Sequence, residues 1–195
     1  MKNYKHFIVL VVLLLVVTGG LGFAVVKNRT SREDSSNNQK IAAKEFIGQK
    51  LPELSLTGVN EEAYSSNATL GKPTIVMEWA SWCPHCQAMM PTMNKMYAKY
   101  KNDVNFLFIN ATGSRNGEET KAKASNYVAE KGFDFPYYYD NGMAAATALK
   151  IDSVPTFFYV DSDGVVKDVT VSEMKESKMD QKINALIEKP NHHKK

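Results

Sequence analysis

Cysteine is scarce in this 195-residue chain: there are two, Cys83 and Cys86, and no spare. Histidine is nearly as rare, with His6, His192 and His193 at the two ends and only His85 between them. A structural zinc site takes four ligands, usually from a second CxxC or a His pair. Neither exists near the cysteines, so zinc is excluded and no metal is expected. Charge of one sign is also missing: the formal net charge is +3, with no basic stripe. Nucleic acid is therefore excluded as a partner. Two cysteines without extras fit a compartment where stray thiols would be oxidised. The length leaves room for one ordinary domain plus an anchor.

What is present centres on Trp82-Cys83-Pro84-His85-Cys86. Ahead of it, Thr74 to Ala80 is an apolar stretch that reads as a strand. Behind it, Gln87 to Lys101 carries Met89, Met93, Met96, Tyr97 and Tyr100 at helical spacing. The cysteines thus occupy a strand-to-helix turn, with Cys83 near the helix N-terminus. Unpaired N–H groups and the positive dipole end favour a thiolate there, the reactive form of cysteine. Cys86 lies one turn on, within reach of a disulfide. A loop this short removes little chain entropy, so the pair would be a poor staple. A redox pair is the better reading. Met89, Met90, Met93 and Met96 give a copper site some foothold, but core packing accounts for their spacing better.

Phe7 to Val26 is uncharged, apolar and preceded by Lys2 and Lys5. A run of about 20 such residues spans a bilayer; a cleaved signal peptide is the alternative. The division expected is a cytoplasmic N-terminus (1–6), a transmembrane anchor (7–26), a flexible polar linker (27–45), a folded domain (46–189) and a polar tail (190–195). The domain would stand at the cell membrane on the extracytoplasmic side. Within it, Leu54-Ser55-Leu56 and the turn Thr57 to Asn60 suggest an N-terminal hairpin. Val104 to Asn110 suits a buried parallel strand. Glu118 to Lys131 reads as a helix stopped by Gly132. Phe133 to Tyr139 is a short strand region, and Met143 to Leu149 a small helix. Thr156 to Val160 and Val165 to Val169 form a hairpin about Asp161-Ser162-Asp163-Gly164. A final helix carries Met179, Ile183, Leu186 and Ile187 on one face. The order implies an α/β domain with a mixed sheet.

Taken together, these residues resemble the thioredoxin superfamily, in particular its TlpA/ResA-like branch of thiol–disulfide oxidoreductases. Trp79-Ala80-Ser81-Trp82-Cys83-Pro84-His85-Cys86 is similar to that branch's WAxWCxxC. Pro91 sits where the fold has its helix-kinking proline, and Val154-Pro155-Thr156 resembles its cis-proline segment. The resemblance implies a thioredoxin fold with an N-terminal β-hairpin and a central strand–helix insertion, using no cofactor. It implies Cys83 as the more exposed nucleophile, Cys86 as the resolving thiol, and a cis Val154–Pro155 bond against them. Trp82, Val154 and Pro155 would dock substrate, Val154 through strand-like backbone hydrogen bonds.

Pro84-His85 departs from the branch and is the pair found in DsbA-like oxidases. Between thioredoxin-like and DsbA-like potentials lie about 150 mV, or roughly 7 kcal/mol for two electrons. Thiolate stabilisation of about 5 kcal/mol would supply most of that. Pro84 and His85 are therefore expected to tune the pair toward oxidising thiols in exported proteins. The alternative is a reductase serving cytochrome c maturation or repair of surface proteins. Either direction requires a membrane redox partner to reset the cysteines, and substrates with cysteine pairs. Glu78 is the oddity: it lies in the central strand, one residue past the usual buried acid. It would be a proton shuttle for Cys86, or would pair with a lysine on a partly open face.

Overall fold

The computed structural model describes residues 41–188. The expected anchor (7–26), most of the linker and the tail lie outside these residues. Among the described residues no helix is long and apolar enough to cross a membrane. The folded part begins earlier than residue 46. Ala42–Phe46 is a 3-10 turn with Ala43 buried and the Phe46 ring on Phe158 at 6.2 Å, so residues 42–45 belong to the domain and not to the linker.

Seven strands form one mixed sheet. They are β1 (Ser55–Gly58), β2 (Ala63–Ser65), β3 (Thr74–Trp79), β4 (Asn105–Asn110), β5 (Tyr137–Asp140), β6 (Thr156–Val160) and β7 (Val166–Val171), in the order β2-β1-β5-β4-β3-β6-β7. β3 runs parallel to β4 and antiparallel to β6. The expected hairpin, β1 with β2, extends the sheet by pairing antiparallel to β5. β5 is the strand of the central insertion and runs parallel to β4. Every residue of β3 is buried, which suits a strand covered on both faces.

The helices are α1 (Pro84–Tyr100), α2 (Lys121–Lys131), α3 (Ala144–Ala148) and α4 (Glu176–Ile187). α1 continues through Pro91, which lies inside it. α2 starts three residues later than expected, because Thr120 is its N-cap and accepts from the Lys123 N–H. Strand alternation divides the core in two. Ile75, Met77 and Trp79 of β3 pack with the cysteines, the α1 methionines, Ala124 and Val128 of α2, and Met179 and Ile183 of α4. Val76 packs on the other face with Leu107, Ile109 and Phe158, under Ala145 of α3 and Leu149. The methionines are core, as their spacing indicated: Met89, Met90, Met93 and Met96 are all buried.

Glu78 shares the parity of Val76 and not of Met77, so its side chain lies on the face opposite the cysteines. It is fully buried, and among the described residues neither carboxyl oxygen has a hydrogen-bond partner. Burial pushes its carboxyl well above the usual range, and the buried Asp140 adds to the push. An acid raised in the folded state weakens folding as pH rises. The unfolded chain releases that proton near pH 4.3 while the folded chain must keep it, until the folded group also ionises. Glu78→Leu is expected to add about 1–3 kcal/mol at pH 7, seen as a Tm several degrees higher. The gain should be smaller at pH 4. Equal melting of both proteins at both pH values would show the carboxyl to be satisfied.

Candidate active site

β3 ends at Trp79, and the chain turns through Ala80 to Cys83 into α1. Cys83 is the N-cap of the helix: its sulfur accepts the Cys86 N–H at 3.4 Å. Pro84 follows at the first helical position, where its missing N–H costs nothing and its fixed φ suits the helix. Cys86 completes the turn. Both thiols are free and buried, Cys83 at 3 % exposure and Cys86 at 0 %. Cys83 is the outer of the two, by a small margin.

The Cys83 thiol donates to the Val154 carbonyl at 3.2 Å. The Val154–Pro155 bond is cis, as the resemblance implied. The structure thus brings Cys83, Cys86, Val154 and Pro155 together. Trp79 is core, between Tyr127 and Tyr137. Trp82 is half-buried beside the cysteines: its indole N–H donates to Ser114 Oγ at 3.2 Å, and the Arg115 guanidinium lies 3.6 Å above the ring. His85 points outward, with Nδ1 3.5 Å from Glu173 Oε1. Among the described residues, no hydrogen bond joins His85 to Cys83.

Glu78 is not brought to the site, so a shuttle to Cys86 from that residue is corrected. The expected lysine partner is absent too: among the described residues Glu78 has no ion pair. The acid that does reach the site is Glu119, which sequence reasoning missed. It is 1 % exposed and accepts from Ser81 N at 2.9 Å, Ser81 Oγ at 2.8 Å and Asn110 Nδ2 at 2.7 Å. Three hydrogen bonds, one from the backbone, compensate its burial. They also fasten the turn leading to Cys83, together with Gln87 Nε2 on Ser81 O at 2.7 Å. The available signal was an acid just ahead of a helix N-cap, Thr120; nothing local joined it to Ser81, 38 residues away.

The Cys86 thiol is pushed far up, first by burial and then, among smaller causes, by Cys83 and the Glu119 carboxylate. Cys86 is thus held as a thiol at neutral pH. Two sulfurs one helical turn apart can close into a disulfide and reopen by exchange with another. Among the described residues no cluster suited to a metal ion is found.

Chemistry of this kind, on this sheet, defines a thioredoxin-like thiol–disulfide oxidoreductase. The Redoxin family profile matches residues 46–187, and the chain belongs to that family. It is similar to thiol-disulfide oxidoreductase ResA of Bacillus anthracis, 26 % identical over 171 residues that cover 87 % of this chain and 90 % of the relative. It is also similar to thioredoxin-like protein YneN of Bacillus subtilis, 27 % identical over 174 residues, covering 89 % and 94 %. Among solved structures, a thiol:disulfide interchange protein from Chlorobium tepidum superposes with a TM-score of 0.60 at 24 % identity, covering 71 % of this chain and 95 % of that one. The exposed lipoprotein thioredoxin Etrx1 of Streptococcus pneumoniae gives 0.59 at 25 % identity, covering 69 % and 100 %.

The Glu119→Gln variant removes the charge beside Cys86 and keeps the side chain's size. In a Cys83→Ser background, the pH midpoint for alkylation of Cys86 is expected to fall relative to the same background with Glu119. An unchanged midpoint would leave burial as the whole cause.

Proposed function

We propose that this chain is a disulfide reductase of exported proteins, held at the cell membrane by residues 7–26 with its catalytic domain outside the cytoplasm. Cys83 is the nucleophile and Cys86 the resolving thiol. The sequence led instead with oxidation, on the strength of Pro84-His85. What carries the reductase reading is the hydrogen-bond pattern at the sulfurs. The Cys83 proton goes to the Val154 carbonyl at 3.2 Å, an acceptor that suits a thiol and repels a thiolate. Cys86 is held as a thiol beside it. A strongly oxidising pair is one whose reduced form is stabilised, through a low-pKa thiolate. Here one N–H, from Cys86, reaches the Cys83 sulfur. His85 is turned toward Glu173. Beyond the helix N-terminus and that one N–H, little in this arrangement stabilises a Cys83 thiolate, so the disulfide is a weak oxidant and the dithiol passes electrons on. Similarity to ResA proteins, named thiol-disulfide oxidoreductases, is consistent with the reaction class in either direction.

In the reducing direction, an extended substrate lies along Val154, with Trp82 and Pro155 beside its disulfide. Deprotonated Cys83 attacks one substrate sulfur. The substrate S–S bond breaks, a mixed disulfide forms, and the departing thiolate takes up a proton. Cys86 then attacks the Cys83 sulfur, the bond between Cys83 and substrate breaks, and the proton given up by Cys86 is balanced by the one the departing second substrate thiolate takes up. Two electrons have passed to substrate, and the Cys83–Cys86 disulfide is left for a membrane electron donor to reduce. No cofactor enters these steps, and Glu78 has no part in them.

The reduction potential of the pair, measured on the purified full chain in glutathione buffers, is expected near the thioredoxin value of about −270 mV. A value near about −120 mV, as for DsbA, would return the oxidase reading. Cys86→Ser is expected to trap substrates as mixed disulfides on Cys83. Capture through Cys86 in Cys83→Ser instead would reverse the two roles.

A further inference from the structure

Glu173 belongs to the segment joining β7 to α4, far along the chain from the cysteines. Three contacts hold that segment against the site. Ser172 N–H donates to Pro155 O at 2.9 Å, on the loop that faces Cys83. Met174 N–H donates to Met89 Sδ at 3.4 Å, on α1. Between them Glu173 Oε1 stands 3.5 Å from His85 Nδ1. Ser172 takes φ 74 to make this turn, a left-handed conformation that costs a residue with a Cβ and persists only where surroundings enforce it. The neighbouring carboxylate, Glu176, is occupied by Lys95 at 2.9 Å. Among the described residues, Glu173 has no ion-pair partner except His85.

We infer that Glu173 is a redox-tuning residue: pinned between the Pro155 loop and α1, its carboxylate competes with Cys83 for the charge on His85 and keeps the cysteine pair reducing. His85 lies in the first turn of α1, two residues past Cys83. A cation there stabilises a Cys83 thiolate and with it the reduced state, making the disulfide a stronger oxidant. A carboxylate against the same imidazole cancels part of that field and also opposes the thiolate directly. The imidazole of the Pro84-His85 pair thus faces a carboxylate as well as Cys83. Both side chains are about half exposed, 61 % and 49 %, so solvent screens the pair and the effect is modest.

The inference deepens the proposed direction and rests on the same cysteine pair, but the two fail separately. The absolute potential tests direction, and the difference between variants tests Glu173. The measurement is the redox equilibrium with glutathione of the full chain at about pH 6, where imidazoles carry charge. Wild type, Glu173→Gln, His85→Gln and the double variant would be compared. Glu173→Gln is expected to make the pair more oxidising by roughly two- to five-fold in the equilibrium constant, or about 10–20 mV at about 30 mV per tenfold. In the His85→Gln background the shift should drop below half. Glu173→Asp should stay near wild type, and Glu173→Lys should move further in the oxidising direction. No shift, a shift toward reducing values, or an equal shift with and without His85 would overturn the inference.

Discussion

The constraint on which the rest depends is that β3 is buried on both faces and hydrogen-bonded on both edges. Strand β4 pairs with it as far as Trp79 and β6 as far as Glu78. Beyond that point the chain has no ladder to join, and its polar groups must find partners in the turn itself. Glu119 supplies them for Ser81, and the Cys83 sulfur does so for the Cys86 N–H. The Cys83 sulfur is thus also the helix cap, so any change in its bonding state is felt at the first turn of α1.

The two carboxylates near this strand show how one residue of register decides a role. An acid at the position of Met77 would face the cysteines. Glu78, one step on, faces the opposite core, where among the described residues its carboxyl oxygens have no hydrogen-bond partner and burial favours its protonated form. That parity is visible in the sequence, since Val76 and Glu78 alternate with Ile75, Met77 and Trp79. Glu119 was not visible in this way. It reaches Ser81 because β3 and β4 lie side by side in parallel and the loop after β4 folds back beside the loop after β3.

The surroundings of the cysteine pair are similarly divided between levels. Pro84-His85 is local, and by itself argues for a stabilised thiolate. The carbonyl against Cys83 and the carboxylate against His85 come from Val154 and Glu173, which only the folded sheet carries to the site. A dipeptide sets a potential through the field it produces at sulfur, and that field is the sum over everything nearby.

By itself the sequence determined the redox pair, its place at a strand-to-helix turn, the hairpin, the order of elements and the loop at Val154-Pro155. The pair, its turn, the hairpin and the element order depend on periodicity, capping residues and spacing along a few turns; the loop at Val154-Pro155 was identified through the family resemblance. Tertiary structure alone decided that Glu78 is left without a partner among the described residues, that Glu119 anchors the turn, that Ser114 and Arg115 cover Trp82, and that His85 meets Glu173. These contacts join residues far apart in the chain. Electrostatic and hydrogen-bonding energies depend on distances of a few ångströms, which are set only when the sheet has closed and both its faces are packed.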